Sequence, residues 1–246
     1  MQNSILGVRI KDDSKKVILE QIIKYIHQPS GFFHIVSLNP ESLVIVQEDK
    51  EFKKVIETAQ IKIIDGVGIV LAARILGIHI GERVTGVELM EGLMKLAEKM
   101  RLRVLFVGGR PNLALRCAQC QQEKYPEAEF FGTIGFSDIK NPTKKEEEDI
   151  LTIVRHHKPH LIFAAFGSPW QELWLARHSK EFNGIIGMGV GQGLDIIAGI
   201  AKRAPIWVQN IGLEWLYRLF TQPWRWRRQV KLVKFIYEVI KERLRQ

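Results

Sequence analysis

Short, nearly continuous apolar runs alternate along this chain with longer stretches in which apolar positions recur every three or four residues. The runs at 33–36, 61–64, 104–107, 161–165 and 185–188 have the length and the β-branched and aromatic content of buried strands. Helical periodicity predicts helices over 13–28, 40–58, 67–77, 86–100, 111–124, 143–157 and 169–181. Strands separated by helices need crossover connections. The pattern therefore predicts an α/β fold with a mostly parallel, Rossmann-like sheet covered by helices on both faces.

The pattern changes after Gly199. From Pro223 onward, Trp226, Val230, Val233, Ile236, Tyr237, Ile240 and Leu244 fall on one side of a helix at 100° per residue. Arg227, Arg228, Lys231, Lys234, Lys241 and Arg245 cover the other side. The expected organisation is an α/β core over residues 1–200 and a basic helical appendage over 201–246. Charge sharpens the division. Residues 201–246 hold eleven Lys or Arg against three acidic residues, whereas residues 1–200 are almost balanced, with 25 against 24. Four of the six tryptophans lie in the same segment. Two readings of it stand: a helix lying in a bilayer interface, or a helix packed on its own domain with a solvated basic face. Nucleic acid is not an expected partner, because no nucleic-acid motif accompanies the charge.

Residues 1–16 lack the features of a signal peptide. No stretch reaches the roughly 18 uncharged apolar residues of a membrane span; the nearest, 184–201, is interrupted by Gln192 and Asp195. The two cysteines, Cys117 and Cys120, lack the two further ligands that zinc needs and read as packing residues in a reducing compartment. The seven histidines form no metal constellation, and no acidic pair stands at a strand end to hold a divalent ion, so the expected chemistry is metal-free.

In a sheet of this kind the ligand crevice lies beyond the carboxyl ends of the strands. These ends read Ser37-Leu38-Asn39-Pro40, Asp65-Gly66, Gly108-Gly109-Arg110-Pro111, Gly167-Ser168-Pro169-Trp170-Gln171-Glu172 and Gly189-Val190-Gly191-Gln192-Gly193. Glycine there lets a backbone approach a phosphate, and a following helix start offers unpaired N–H groups. Such turns in register point to a nucleotide or phosphosugar. The glycines at 187, 189, 191 and 193 do not make a dinucleotide fingerprint, because the third is out of place.

Asp65 could take a proton from a sugar hydroxyl or cap the helix that follows it. Arg83 could grip a diphosphate or make a surface ion pair. Gln171 could read ligand hydroxyls, while Glu172 suits the dipole of its helix. Asp195, flanked by apolar residues, needs a partner, and Arg203 is the nearest cation in sequence.

Taken with Asn39, Asp65-Gly66, Arg83 and the Gly167–Glu172 stretch, the run Lys202-Arg203-Ala204-Pro205-Ile206-Trp207 and the run Gly212-Leu213-Glu214-Trp215-Leu216-Tyr217-Arg218 resemble the WecG/TagA/CpsF family of bacterial glycosyltransferases. The resemblance covers almost the full length. It implies transfer of a sugar, N-acetylmannosamine or a related hexose or uronate, from a UDP-sugar to a polyprenyl-diphosphate-linked GlcNAc-type acceptor. Such chemistry serves teichoic acid, common antigen or exopolysaccharide synthesis, without a cofactor and on the cytoplasmic face of the bacterial plasma membrane. It implies Asp65 as general base with inversion at the anomeric carbon, and Ser37 where the family often has threonine.

By the same resemblance Asn39 and Gln171 would meet sugar or acceptor. Arg83 joins the catalytic set, and Gly108, Gly109, Gly189 and Gly191 line the crevice. Arg218 and Arg225 would fold over the UDP diphosphate as the basic appendage closes on an anionic membrane surface. Where relatives show Gly-Gly-x-Phe-Asp and Pro-Lys-Gln-Glu, this chain has Gly191-Gln192-Gly193-Leu194-Asp195 and Pro169-Trp170-Gln171-Glu172, which leaves the donor sugar open. A homo-oligomer is also left open. The other reading is a non-catalytic nucleotide-sugar or lipid-phosphate binding protein on the same fold.

Overall fold

The computed structural model describes residues 3–11, 13–210, 213–221 and 226–245, excluding the side chains of residues 210, 218 and 226–229. Six parallel strands form the sheet: β3 (Phe33–Leu38), β4 (Ile61–Ile64), β5 (Arg103–Gly108), β6 (Glu129–Thr133), β7 (Leu161–Ala165) and β8 (Ile186–Gly189). Their spatial order is β4-β3-β8-β7-β5-β6. A small antiparallel hairpin, β1 (Ser4–Ile5) and β2 (Val8–Arg9), precedes them. Among the described residues this is the α/β, mostly parallel architecture that the apolar runs predict. The strands missed are edge strand β6, because Glu-Phe-Phe-Gly-Thr carries too short an apolar signal, and the two-residue strands of the hairpin.

Both faces of the sheet are buried, which is why its strands read as continuous rather than alternating. Phe33, Ile35, Val104, Phe106, Leu161 and Phe163 face one core, built with α1 (Lys15–His27), α5 (Gly86–Met100), α6 (Leu113–Lys124) and α9 (Gly193–Ile197). Val36 and Leu38 face a second core, with α2 (Pro40–Glu48), α3 (Lys50–Thr58), α4 (Val67–Leu76) and α8 (Trp170–Arg177). Leu105, Val107, Ile162 and Ala164 pack instead with α7 (Lys144–His157).

The helix expected over 40–58 is two helices. Asp49 adopts extended backbone and its carboxylate accepts the Phe52 N–H at 2.9 Å, so it ends α2 and caps α3. The helix expected from 111 starts at Leu113, after Asn112 in the left-handed region. Cys117 is fully buried in the first core with its thiol pushed up to about 12, mainly by burial, and neither cysteine is in a disulfide.

The C-terminal segment continues as α10 (Ile206–Asn210), α11 (Glu214–Thr221) and α12 (Trp226–Leu244). Helix α12 packs on α2 and α4 through Phe235 and Val239, which are 2% and 1% exposed. Burying side chains of this kind stabilises by about 1.5–3 kcal/mol each. Lys231 and Lys234 form ion pairs with Glu41 and Glu48 of α2, and Glu242 accepts the Leu6 N–H of the N-terminal hairpin at 2.9 Å. The stripe of Val230, Val233, Ile236, Tyr237, Ile240 and Leu244 is not the packing face; every one of these side chains is exposed. No helix among the described residues is long and apolar enough to cross a membrane.

Candidate active site

Strands β3 and β4 pair in parallel with Ser37 opposite Ile63 and Leu38 opposite Ile64. This register brings Ser37, Asn39 and Asp65 to one end of the sheet. The Asp65 N–H donates to the Leu38 carbonyl at 2.8 Å, holding the residue just past the strand end. Its carboxylate does not cap the following helix: the N-cap of α4 is Gly66, at φ 111°, with no side-chain cap. Asp65 Oδ2 accepts instead the N–H of Gly86, the first residue of α5, at 3.1 Å. An anionic oxygen at a helix N-terminus is favoured by the unpaired N–H groups and by the helix dipole.

Gly86 also makes the site narrow. A Cβ there would stand 3.3 Å from Asp65 Oδ2 and 3.3 Å from Ser37 Oγ. The carboxylate and the hydroxyl thus converge on one glycine. Asn39 caps α2: its Oδ1 accepts the Ser42 N–H at 2.9 Å, and the Ser42 hydroxyl oxygen accepts the Asn39 N–H at 2.9 Å. Arg83 precedes α5, bridges the end of β4 at Ile64, and donates from Nη2 to the Gln209 carbonyl at 3.4 Å. Ser37, Asn39, Asp65 and Arg83 are all partly exposed. The structure gathers these four at the carboxyl ends of β3 and β4.

Gln171 lies beneath the crevice. Its Oε1 accepts the N–H groups of Gly167 and Gly191, each at 3.1 Å, and its Nε2 donates to Glu172 Oε1 at 2.8 Å. One amide therefore ties together the turns after β7 and β8. Glu172 is 3% exposed, and burial, the dominant influence, raises its carboxyl above the usual range despite hydrogen bonds from neighbouring groups. Glu172 stands in the first turn of α8, where the dipole reading puts it, but buried, and its carboxyl also supports Gln171.

The crevice glycines have packing reasons. A Cβ on Gly108 would meet the Phe166 ring at 2.5 Å, one on Gly109 the Leu113 side chain at 2.6 Å, and one on Gly189 the Gln171 amide at 2.6 Å. The Gly109 N–H is already given to the Ala165 carbonyl at 3.0 Å. Close approach is needed here by the protein's own side chains.

Asp195 is not paired with Arg203. Its Oδ1 accepts from Nε of Arg110 at 3.1 Å and from the Nη2 of the same side chain, joining α9 to the turn after β5. Arg203 reaches α5 instead, donating to Thr85 Oγ1 at 3.1 Å and Glu88 Oε1 at 3.0 Å. Sequence proximity misleads in both cases, because the partners are 85 and 115 residues away. One part was readable: Thr85-x-x-Glu88 is a capping-box spacing, and the box is present. Of the arginines expected over a diphosphate, the side chain of Arg218 and the whole of Arg225 lie outside the described residues.

In open, mostly parallel α/β sheets the ligand binds in the crevice beyond the carboxyl ends of the strands, and that is where this chain gathers a carboxylate, a hydroxyl and an arginine. The family model described as "Glycosyl transferase WecG/TagA/CpsF family" matches residues 3–246, and the chain belongs to that family. It is similar to an N-acetylglucosaminyldiphosphoundecaprenol N-acetyl-beta-D-mannosaminyltransferase from Bacillus spizizenii, 29% identical over 88% of this chain and 82% of that protein. A protein of the same name from Staphylococcus aureus strain NCTC 8325 is 29% identical over 96% of this chain and 91% of its own length.

Proposed function

We propose that this glycosyltransferase moves N-acetylmannosamine, or a related hexose or uronate, from a UDP-sugar to a hydroxyl of a polyprenyl-diphosphate-linked GlcNAc acceptor. The observation that carries the reading is the partly exposed Asp65 carboxylate held by Gly86 beside Ser37, in a chain similar over most of its length to transferases named for such an acceptor. Asp65 removes the proton from the acceptor hydroxyl as its oxygen attacks the anomeric carbon. The bond from that carbon to the diphosphate oxygen breaks, UDP leaves with the electron pair, and the configuration inverts. Negative charge grows on the diphosphate, and preorganised cations there lower the barrier by roughly 2–4 kcal/mol for each well-placed donor. Arg83 is the described candidate; Arg218 and Arg225 complete the proposal. No metal or further cofactor enters this scheme.

The substrate's lipid anchor requires the enzyme to work at a membrane surface. The outward apolar stripe of α12, flanked by lysines, supports peripheral binding to an anionic bilayer on the side where UDP-sugars are made. Such binding raises the local concentration of a lipid-borne acceptor.

The test is UDP release from a panel of UDP-sugars, with and without a short-chain polyprenyl-diphosphate-GlcNAc. Release that needs the acceptor, with an inverted linkage in the product, supports the reading. Donor binding with no transfer to any acceptor would leave a nucleotide-sugar binding protein instead.

A further inference from the structure

Arg203 stands where the chain leaves the sheet and enters its C-terminal segment. Its Nη2 donates to the first turn of α5, to the Thr85 hydroxyl oxygen and the Glu88 carboxylate. That same turn presents the Gly86 N–H to Asp65. Two neighbouring residues thus face two tasks: Thr85 receives the C-terminal segment, and Gly86 holds the carboxylate. Glu88 closes the arrangement by accepting the Thr85 N–H at 3.1 Å while bound to Arg203. Burial tends to raise the Glu88 carboxyl, but hydrogen bonds from Thr85 and Arg203 outweigh it and leave the group below its ordinary range. The Arg203 side chain is only 19% exposed, so the pair is shielded in a way that a surface ion pair is not. Arg83 makes a second link between this corner and the segment, through the Gln209 carbonyl.

We propose that Arg203 is a positioning residue that couples the seating of the C-terminal segment to the carboxylate of Asp65 through the first turn of α5. The inference rests on the reading of Asp65 as the base. Arg203 and Glu88 act on Asp65 through the helix start, not on the substrate. When the segment is seated, Arg203 fixes Thr85, and Gly86 follows because it is the next residue. When the segment lifts, the capping box persists but loses its external anchor, and Asp65 loses a fixed donor.

The experiment compares Arg203→Met, Arg203→Lys and Glu88→Gln in the full chain, by amide hydrogen exchange and by steady-state kinetics. In Arg203→Met, exchange at Gly86 and across residues 206–209 and 213–221 speeds up at least about tenfold, while β3 and β4 keep their protection. The kcat falls by about tenfold or more with KM for the UDP-sugar within about twofold, and Arg203→Lys recovers part of the loss. Glu88→Gln retains a side chain able to close the box and shows the same changes at smaller size. The double variant is no worse than Arg203→Met, because the Arg203–Glu88 contact that Glu88→Gln weakens is already gone in Arg203→Met.

Unchanged exchange at Gly86 in Arg203→Met, or additive losses in the double variant, would overturn the coupling. If Arg203→Met loses protection across the whole sheet, Glu88→Gln decides in its place. Should the wild type turn over no UDP-sugar, the functional reading fails, and the exchange measurements alone still decide whether the link exists.

Discussion

The N–H of Gly86 donates to Oδ2 of Asp65 at 3.1 Å, across 21 residues of sequence, and binds a strand end to a helix start. The carboxylate is thereby oriented by backbone, the least mobile donor available, while its residue stays partly exposed to the crevice. The point where a Gly86 Cβ would stand is also within 3.3 Å of the Ser37 hydroxyl.

Gly86→Ala therefore separates activity from stability. The backbone there does not need glycine for its φ, and alanine in a helix is favoured over glycine by about 0.5–1 kcal/mol. The added methyl must displace Asp65 or Ser37 by a few tenths of an ångström. The melting temperature is expected to hold or rise while kcat falls by about tenfold or more, as a small misplacement of reacting groups does. Thermal melts and UDP-release kinetics on one preparation check both.

Glu172 gives the stability of the fold a pH dependence. Its folded carboxyl titrates above its ordinary value of 4.5 because burial disfavours the anion. Stability from this group is full below the unfolded value. It is lost as pH rises, since the unfolded chain releases the proton first, until the folded carboxyl ionises as well. Glu172→Gln keeps the shape and an acceptor for Gln171 Nε2 but removes the titration. Its stability relative to wild type should therefore improve as pH rises above 4.5, measured by urea unfolding at several pH values. A constant difference across that range would contradict the assignment.

The two apolar sides of α12 should respond differently. Phe235→Ala opens a cavity in the second core and is expected to cost about 3–5 kcal/mol. Val233→Ser and Ile240→Ser, on the exposed stripe, should each stay within about 0.5 kcal/mol of wild type. The latter pair should weaken co-sedimentation with anionic phospholipid vesicles. Removing the whole segment confounds the two effects, because Phe235 and Val239 belong to the core.

Glycine at 132 is required by packing against α6. A Cβ there would stand 2.3 Å from the Ala114 carbonyl oxygen, and backbone cannot give way cheaply. Gly132→Ala is expected to destabilise by about 1–3 kcal/mol. Gly92→Ala in α5, where nothing lies within 4 Å, should stabilise by about 0.5–1 kcal/mol. Denaturant midpoints of the two variants should move in opposite directions.

Much of the fold was legible because period carries it. Runs such as Val104–Phe106 are apolar at every position only when both sheet faces are covered, and the helices between them repeat at 3.6 residues. Strand β6 escaped because its apolar run is only Phe130 and Phe131, followed by Gly132 with its tight contact against α6. The site was legible one residue at a time. Asp65 and Ser37 stand out at strand ends, but their convergence on Gly86 depends on β3 lying beside β4 and on α5 returning to that corner. Period does not encode strand order. For the same reason Asp195 suggested Arg203, eight residues on, whereas the fold supplied Arg110. The glycines at 108, 109 and 189 read as places where backbone can approach a phosphate; the fold adds a second reason for each, since a Cβ would meet Phe166, Leu113 or Gln171.

In the proposed reaction one carboxylate, that of Asp65, takes the acceptor's proton. Asp65→Asn keeps the shape and an acceptor oxygen for the Gly86 N–H but cannot act as a base. Turnover with UDP-N-acetylmannosamine and a short-chain polyprenyl-diphosphate-GlcNAc, measured beside UDP affinity, tests it directly. The expected result is a fall in kcat of about 10²–10⁴-fold with UDP affinity within about twofold of wild type. An Asp65→Asn enzyme that turns over at the wild-type rate would contradict it.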